Sequence, residues 1–367
     1  MATNTHIPPR GPRGTTIVRL VIAALATALG GYLYGASAKP VDVRTRIEPL
    51  GRISASNTRP YAYGWPVKPF DRPHPVRGSF GDPRGIFTGP PTLSTLLHGG
   101  GTFQFHFGID ISAPDGTAVY PVESGTVQVV RPDWVQVDVG GGRAFQYWHI
   151  QPEVSAGEHV DANTTVLGHI LRDAGHVHLT ELAGLERVNP LAPGHIGPYE
   201  DTTTPRVGPI TFRTTDAGRD QMPEFLRGRV VMITSAVDYP SVRVRGTWRD
   251  LPVVPALISW RIQRADTGRV VVPTHIAFDV RRTIPAPTEF WRFYARGTHE
   301  NMCVFGKHYS YMQPGSYLFK LTPYGFDTRT LRDGVYELIV TATDIAGNHD
   351  SAMQRFSIHN RPGWLGP

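Results

Sequence analysis

Glycine and proline break this chain too often for it to be built from long helices: 39 glycines and 33 prolines stand among 367 residues, a joint share of about 20% against an average near 12%. Glycine reaches backbone angles that other residues avoid, and proline removes an amide donor, so both end regular elements. The share stays below the roughly 25–30% of disordered low-complexity sequence. With 40% hydrophobic, 10% aromatic and only 19% charged residues, the chain is expected to be mainly β, with many short strands and turns. A highly charged disordered protein and a helical bundle are both excluded.

Residues 1–38 have the three parts of an export signal. A basic segment carries Arg10, Arg13 and Arg19, an apolar run extends from Leu20 to Gly35, and Ala36-Ser37-Ala38 forms a small-residue cleavage pattern. The run is shorter than the roughly 20 residues of a membrane span, so a cleaved signal peptide is the expectation and an uncleaved anchor the alternative. Either way the mature protein is secreted or held at the cell envelope. Without those three arginines the formal charge of +6 falls to +3, with 34 basic residues against 31 acidic ones. No cluster of five or six basic residues occurs, which argues against a nucleic-acid partner. Cys303 is the only cysteine, so no intrachain disulfide can form. It reads as a small buried hydrophobe.

Residues 39–60 read as a linker. From 61 to 185, short β-rich runs such as Thr117–Tyr120, Gly125–Val130, Val135–Val139 and Phe145–His149 are separated by turn residues, as in an antiparallel sheet. Gly89 to Gly101 reads as a long surface loop. Residues 186–209, with five prolines, read as a connector. A second domain over 210–360 contains seven further runs: Arg229–Ser235, Ser241–Thr247, Leu257–Ile262, Arg269–Val272, Tyr317–Leu321, Tyr336–Ala342 and Arg355–Ile358. Seven such runs suggest a β-sandwich. The aromatic-rich stretch Phe290 to Tyr311 lacks a clear period and reads as an insertion.

Three segments of the first domain carry chemistry: His106-Phe107-Gly108-Ile109-Asp110, Tyr147-Trp148-His149 and His176-Val177-His178. On a straight strand His106 and Asp110 would stand about 13 Å apart, too far to share a metal ion. Gly108 between them permits the bend that brings them together. His176 and His178, two residues apart, share one strand face. Either could complete a site of two imidazoles and a carboxylate, with a tetrahedral position left for water. The other, with His149, could then take a proton or bind an oxyanion. Each segment alone has a plainer reading as a solvated or packed strand. His299 and His308 flank Cys303 without the compact spacing of a metal site.

In order and in flanking residues, the combined pattern resembles the LytM/lysostaphin-type zinc metallopeptidases, bacterial endopeptidases of the cell wall. Val76-Arg77-Gly78-Ser79-Phe80-Gly81-Asp82-Pro83-Arg84 resembles the family's opening strand and loop. Ala113-Pro114-Asp115-Gly116-Thr117 and Gly125-Thr126-Val127 resemble the next turn and strand. The resemblance covers about residues 61 to 185. It implies a zinc metallopeptidase domain binding one Zn2+ through His106, Asp110 and His178, with His149 and His176 as the catalytic pair and peptidoglycan peptides as substrate. All five positions are filled, whereas some relatives have lost ligands and act as regulators. Leu179-Thr180-Glu181 replaces the family's more usual Phe-Glu.

The stretch from Leu331 to Asn348 resembles the last hairpin of bacterial immunoglobulin-like domains, which implies an immunoglobulin-like β-sandwich following the peptidase. Such a domain could bind wall polymer, bind an envelope protein partner, or act as a spacer. Two further readings stand beside the enzyme: a non-catalytic or latent envelope module that keeps the fold, and a secreted peptidase acting on proteins.

Overall fold

Alternation of apolar and polar residues builds one large antiparallel sheet in the first half of the chain. The computed structural model describes residues 61–85, 103–215, 218–286, 289–305 and 310–361. The export signal, the 39–60 linker, the Gly89 to Gly101 loop and His308 lie outside these residues, as does the Cys303 side chain. Among the described residues no helix is long and apolar enough to cross a membrane.

The sheet contains β1 (Val76–Gly78), β2 (Ile109–Ser112), β3 (Gly125–Arg131), β4 (Trp134–Gly140), β5 (Arg143–Trp148), β6 (His159–Val160), β7 (His176–Ala183) and β8 (Glu186–Val188). Its order is β6-β3-β4-β5-β7-β2-β1, with β8 also paired to β7. One face is apolar and buried: Val135 and Val137 on β4, Phe145 and Tyr147 on β5, Val177 and Leu179 on β7, and Ile109 and Ile111 on β2 are fully covered. Period-two alternation sends the intervening residues to the other face. In register across four strands they form the row Trp134, Trp148, His178, Asp110. A polar cluster is thus fixed on the sheet because its neighbours in sequence are needed in the core.

The 186–209 segment carries β8 and a short strand, Gly194–Ile196, which pairs in parallel with Tyr61–Tyr63. Its last residues already belong to β9 (Arg206–Thr214), and beyond it come β10 (Arg229–Val237), β11 (Leu257–Arg264), β12 (Val270–Asp279), β13 (Leu318–Lys320), β14 (Gly334–Thr343) and β15 (His349–Ile358). They form two antiparallel sheets: β12-β11-β14-β15, and β9-β10-β13 extended by Asp220–Gln221 and Phe326–Asp327. Ser241–Thr247, expected as a strand, is instead irregular and runs into a 3-10 turn at Gly246–Trp248. Pro240 ahead of it and Gly246, at φ 73°, within it break the extended run. The aromatic stretch from Phe290 forms one helical turn, α1 (Phe290–Phe293), followed by a hairpin of Met302–Phe305 with Ser310–Gln313.

The described residues, from Tyr61 to Arg361, form one compact unit with a continuous apolar core. The rings of Phe103 and Phe105 pack on Phe290, Phe293 and Tyr294 at 4.8–5.9 Å, and each such buried side chain contributes about 1.5–3 kcal/mol. The Tyr294 hydroxyl donates to the Gly81 carbonyl at 2.6 Å. Buried Asp82 accepts from the backbone amides of Ser79 at 2.9 Å and Val254 at 2.8 Å.

Farther from this seam, buried Asp201, Asp238 and Asp344 bring carboxylate oxygens within 4.8 Å of one another. Burial, then the charges of Asp201 and Asp344, push Asp238 up to about 8. Between the ordinary carboxylate range and that value the folded chain holds a proton that the unfolded chain has released, so this stabilisation is complete at acid pH and is lost as pH rises through 8. Asp238→Asn should therefore raise the melting temperature at pH 9 and change it little at pH 5, removing a slope of up to about 1.4 kcal/mol per pH unit. Melting curves at both pH values check this, and an equal shift at each would refute it.

Candidate metal centre

Gly108 produces the bend expected from the sequence. His106 lies in the turn before β2, and its Nε2 is 3.0 Å from Oδ1 of Asp110. A Cβ on Gly108 would fall 2.3 Å from the Leu179 carbonyl oxygen and 2.7 Å from Nε2 of His178. The absent side chain is thus what lets the turn lie against β7. Gly108→Ala should displace the backbone, cost about 1–3 kcal/mol of stability and lower bound zinc at least tenfold by atomic absorption after dialysis. A variant with normal zinc content would contradict this.

His106, Asp110 and His178 converge, with one ligand atom from each lying within 4.8 Å of the others. His178 Nδ1 is 2.7 Å from His106 Nε2 and 3.0 Å from Asp110 Oδ1. The opposite nitrogen of each ring has its own partner. His106 Nδ1 lies 2.8 Å from the Ser79 carbonyl, which can only accept, so that nitrogen carries the proton and Nε2 presents a lone pair. Oγ1 of Thr180 lies 2.9 Å from His178 Nε2 and can accept its proton when Nδ1 is bare. Burial and then the nearby Arg84 charge lower His106 to about 3, and burial lowers His178. Burial alone would raise the Asp110 carboxyl, but His106 and Arg84 hold it well below the usual carboxylate range. Two neutral imidazoles and a carboxylate, each held from behind, match the donors and outer partners of a zinc site. With Nδ1 of His178 bare, two nitrogen lone pairs face each other at 2.7 Å, an arrangement that a cation would satisfy.

His149 and His176 stand beside this group, their ring centroids 4.6 Å apart, and His176 Nε2 is 3.5 Å from Asp110 Oδ1. His149 falls just past the end of β5, with φ at 66°. That left-handed conformation is uncommon outside glycine and turns the ring towards His176 rather than along the strand. Burial, then His176, lowers His149 to about 4, so it is a neutral proton acceptor at pH 7.

All five sequence-predicted residues thus lie on one face of the sheet and its rim. Three more contacts emerge only in the fold. Arg84 donates to Oδ2 of Asp110 at 2.5 Å and turns Oδ1 to the histidines. Arg77 reaches Nδ1 of His176 and the Ala174 carbonyl, while its guanidinium stacks on Trp248 at 4.2 Å. Thr180 was findable, since it lies two residues beyond His178 on the same strand face. Arg77 and Arg84 had no local signal, because their partners lie 99 and 26 residues away.

The model of peptidase family M23 matches residues 104–190. Among solved structures, a zinc-containing peptidase from Vibrio cholerae is 23% identical, with 35% of this chain and 39% of that one covered at a TM-score of 0.26. The catalytic domain of the prophage-encoded M23 protein EnpA from Enterococcus faecalis, as a mutant, is 24% identical over 30% of this chain and 88% of its own, at 0.22. The SpoIIQ-SpoIIIAH pore-forming complex supplies a chain 20% identical over 36% of this one and 90% of its own, at 0.27. No curated protein matches the chain. Residues 104–190, which carry the His106, Asp110 and His178 group, are a peptidase family M23 domain of the LytM type.

Proposed function

We propose that the protein is an exported zinc metalloendopeptidase that hydrolyses peptide bonds in peptidoglycan cross-links or stem peptides. The observation that carries this reading is the convergence of His106, Asp110 and His178 beside the close pair His149 and His176. The family hydrolyses peptidoglycan, and its chemistry is zinc-dependent. Zinc bound by the three ligands would supply a Lewis acid for the scissile carbonyl and a water with a pKa near 7.

The chain's own residues do the rest. Ser79 and Thr180 fix the two imidazole ligands, and Arg84 fixes the carboxylate. His149, neutral at pH 7, accepts the proton of the attacking water and returns it to the leaving amine. His176, with Nδ1 held by Arg77, faces the same space through Nε2 and stabilises the oxyanion as the tetrahedral intermediate forms. The export signal would bring the enzyme to its substrate. The C-terminal sheets, read as immunoglobulin-like, would support the peptidase or meet an envelope partner.

The test is incubation of the purified protein with peptidoglycan, with chelator and with zinc restored, followed by mass spectrometry of released fragments. New amino termini that vanish with chelator and return with zinc are expected, and they identify the bond. Zinc binding without cleavage of any wall preparation would overturn the enzymatic reading in favour of a binding module.

A further inference from the structure

Resting on the peptidase reading, we propose that Arg187 binds a carboxylate of the substrate peptide and thereby sets which bond is presented to the metal centre. Arg187 is the middle residue of β8 and lies directly opposite Leu182 of β7. His178, Thr180 and Leu182 alternate onto one face of β7, so Arg187 stands on the face that carries the site. Its guanidinium carbon lies 4.8 Å from the centre of the Phe107 ring. Phe107 follows the first ligand, and its ring is 5.1 Å from that of His178 and 6.2 Å from that of Trp148. These two steps place the guanidinium within about 10 Å of the His178 ring.

The other arginines around the site are already engaged. Arg84 pairs with Asp110, Arg143 pairs with Glu123 and Glu181, and Arg77 holds His176 and the Ala174 carbonyl. The Arg187 side chain has no ion pair or hydrogen bond among the described residues, and its Nε is buried without a partner. Burial lowers its pKa, with no neighbouring carboxylate to offset the cost. A half-buried cation held against an aromatic face, with its in-plane donors unmatched, is suited to a planar anion that can take two parallel N–H bonds. A peptide carboxylate is such a group. An extended peptide advances about 3.3–3.6 Å per residue, so the carboxylate would lie within two or three residues of the cut bond. On the other side of Phe107, Trp148 stacks on Trp134 at 4.5 Å and gives the peptide an apolar wall.

The test uses the full protein with zinc and a set of synthetic wall-type peptides. In one arm each side-chain carboxylate is converted in turn to its carboxamide, and in the other the C-terminal carboxylate is amidated. One conversion should lower kcat/KM roughly tenfold or more, mainly through KM, and the arm in which it does so identifies the source of the carboxylate. Arg187→Gln should show no such preference, and Arg187→Lys only part of it, because lysine lacks the fork. Zinc content and melting temperature confirm that each variant is folded. A preference that survives in Arg187→Gln, or a wild type indifferent to every conversion in both cleavage and calorimetric binding, would overturn the assignment. Carboxylate-dependent binding that needs Arg187, without cleavage of any peptide, would support it while overturning the peptidase reading.

Discussion

His178→Ala protein should carry no zinc after dialysis and should release no new amino termini from peptidoglycan. Among the described residues three donors converge, and the substitution removes one, leaving an imidazole and a carboxylate that cannot hold the ion alone. The loss should exceed the 10–100-fold typical when only an outer partner of a ligand is removed. The fold should survive, because His178 lies on the face of β7 opposite the apolar core, where Val177 and Leu179 keep their packing. Metal analysis with a thermal melt separates the two effects. Stoichiometric zinc in a folded variant would remove His178 from the ligand set.

His149→Asn should retain full zinc and lose about 10²–10⁴-fold in turnover, the range of one general base or acid. Asparagine is the better first choice because His149 sits at φ 66°, where asparagine is tolerated and most residues are strained. His149→Ala should show the same turnover loss with a slightly lower melting temperature. The His149 ring is tilted against that of His176 at 4.6 Å and stands 6.4 Å from the His178 ring, outside the group of converging ligand atoms. Zinc loss in the asparagine variant would mean that the residue supports metal binding rather than proton transfer.

The centre was legible because its signals are local. His106, Gly108 and Asp110 fall within five residues, and the glycine announced the bend that a straight strand could not supply. His176 and His178 declared a shared face by their spacing. β3 and β4 were equally plain, since their residues alternate in burial, whereas β7 is covered on both faces along most of its length. What the sequence hid depends on distant partners: Arg84 reaches Asp110, and Arg77 reaches His176, only after β1, β2 and β7 have assembled. Ser241–Thr247 misled for the opposite reason. Its β-branched residues fit a strand, but Pro240 and Gly246 stop the run, and no strand among the described residues pairs with it.

The seam along residues 79–85 makes the two halves of the chain depend on each other. Ser79 holds His106 by its carbonyl, and the turn that contains it is held in turn by Val254, Tyr294 and Glu300 from the far half of the chain. The half with residues 104–190, transplanted onto a different C-terminal partner, would arrive with Asp82 uncovered and the Gly81 carbonyl unmatched, and His106 would rest on an unsupported turn. The two halves are therefore not interchangeable parts: a swap that leaves either side of this junction unmatched should lower both stability and the order of the His106 turn.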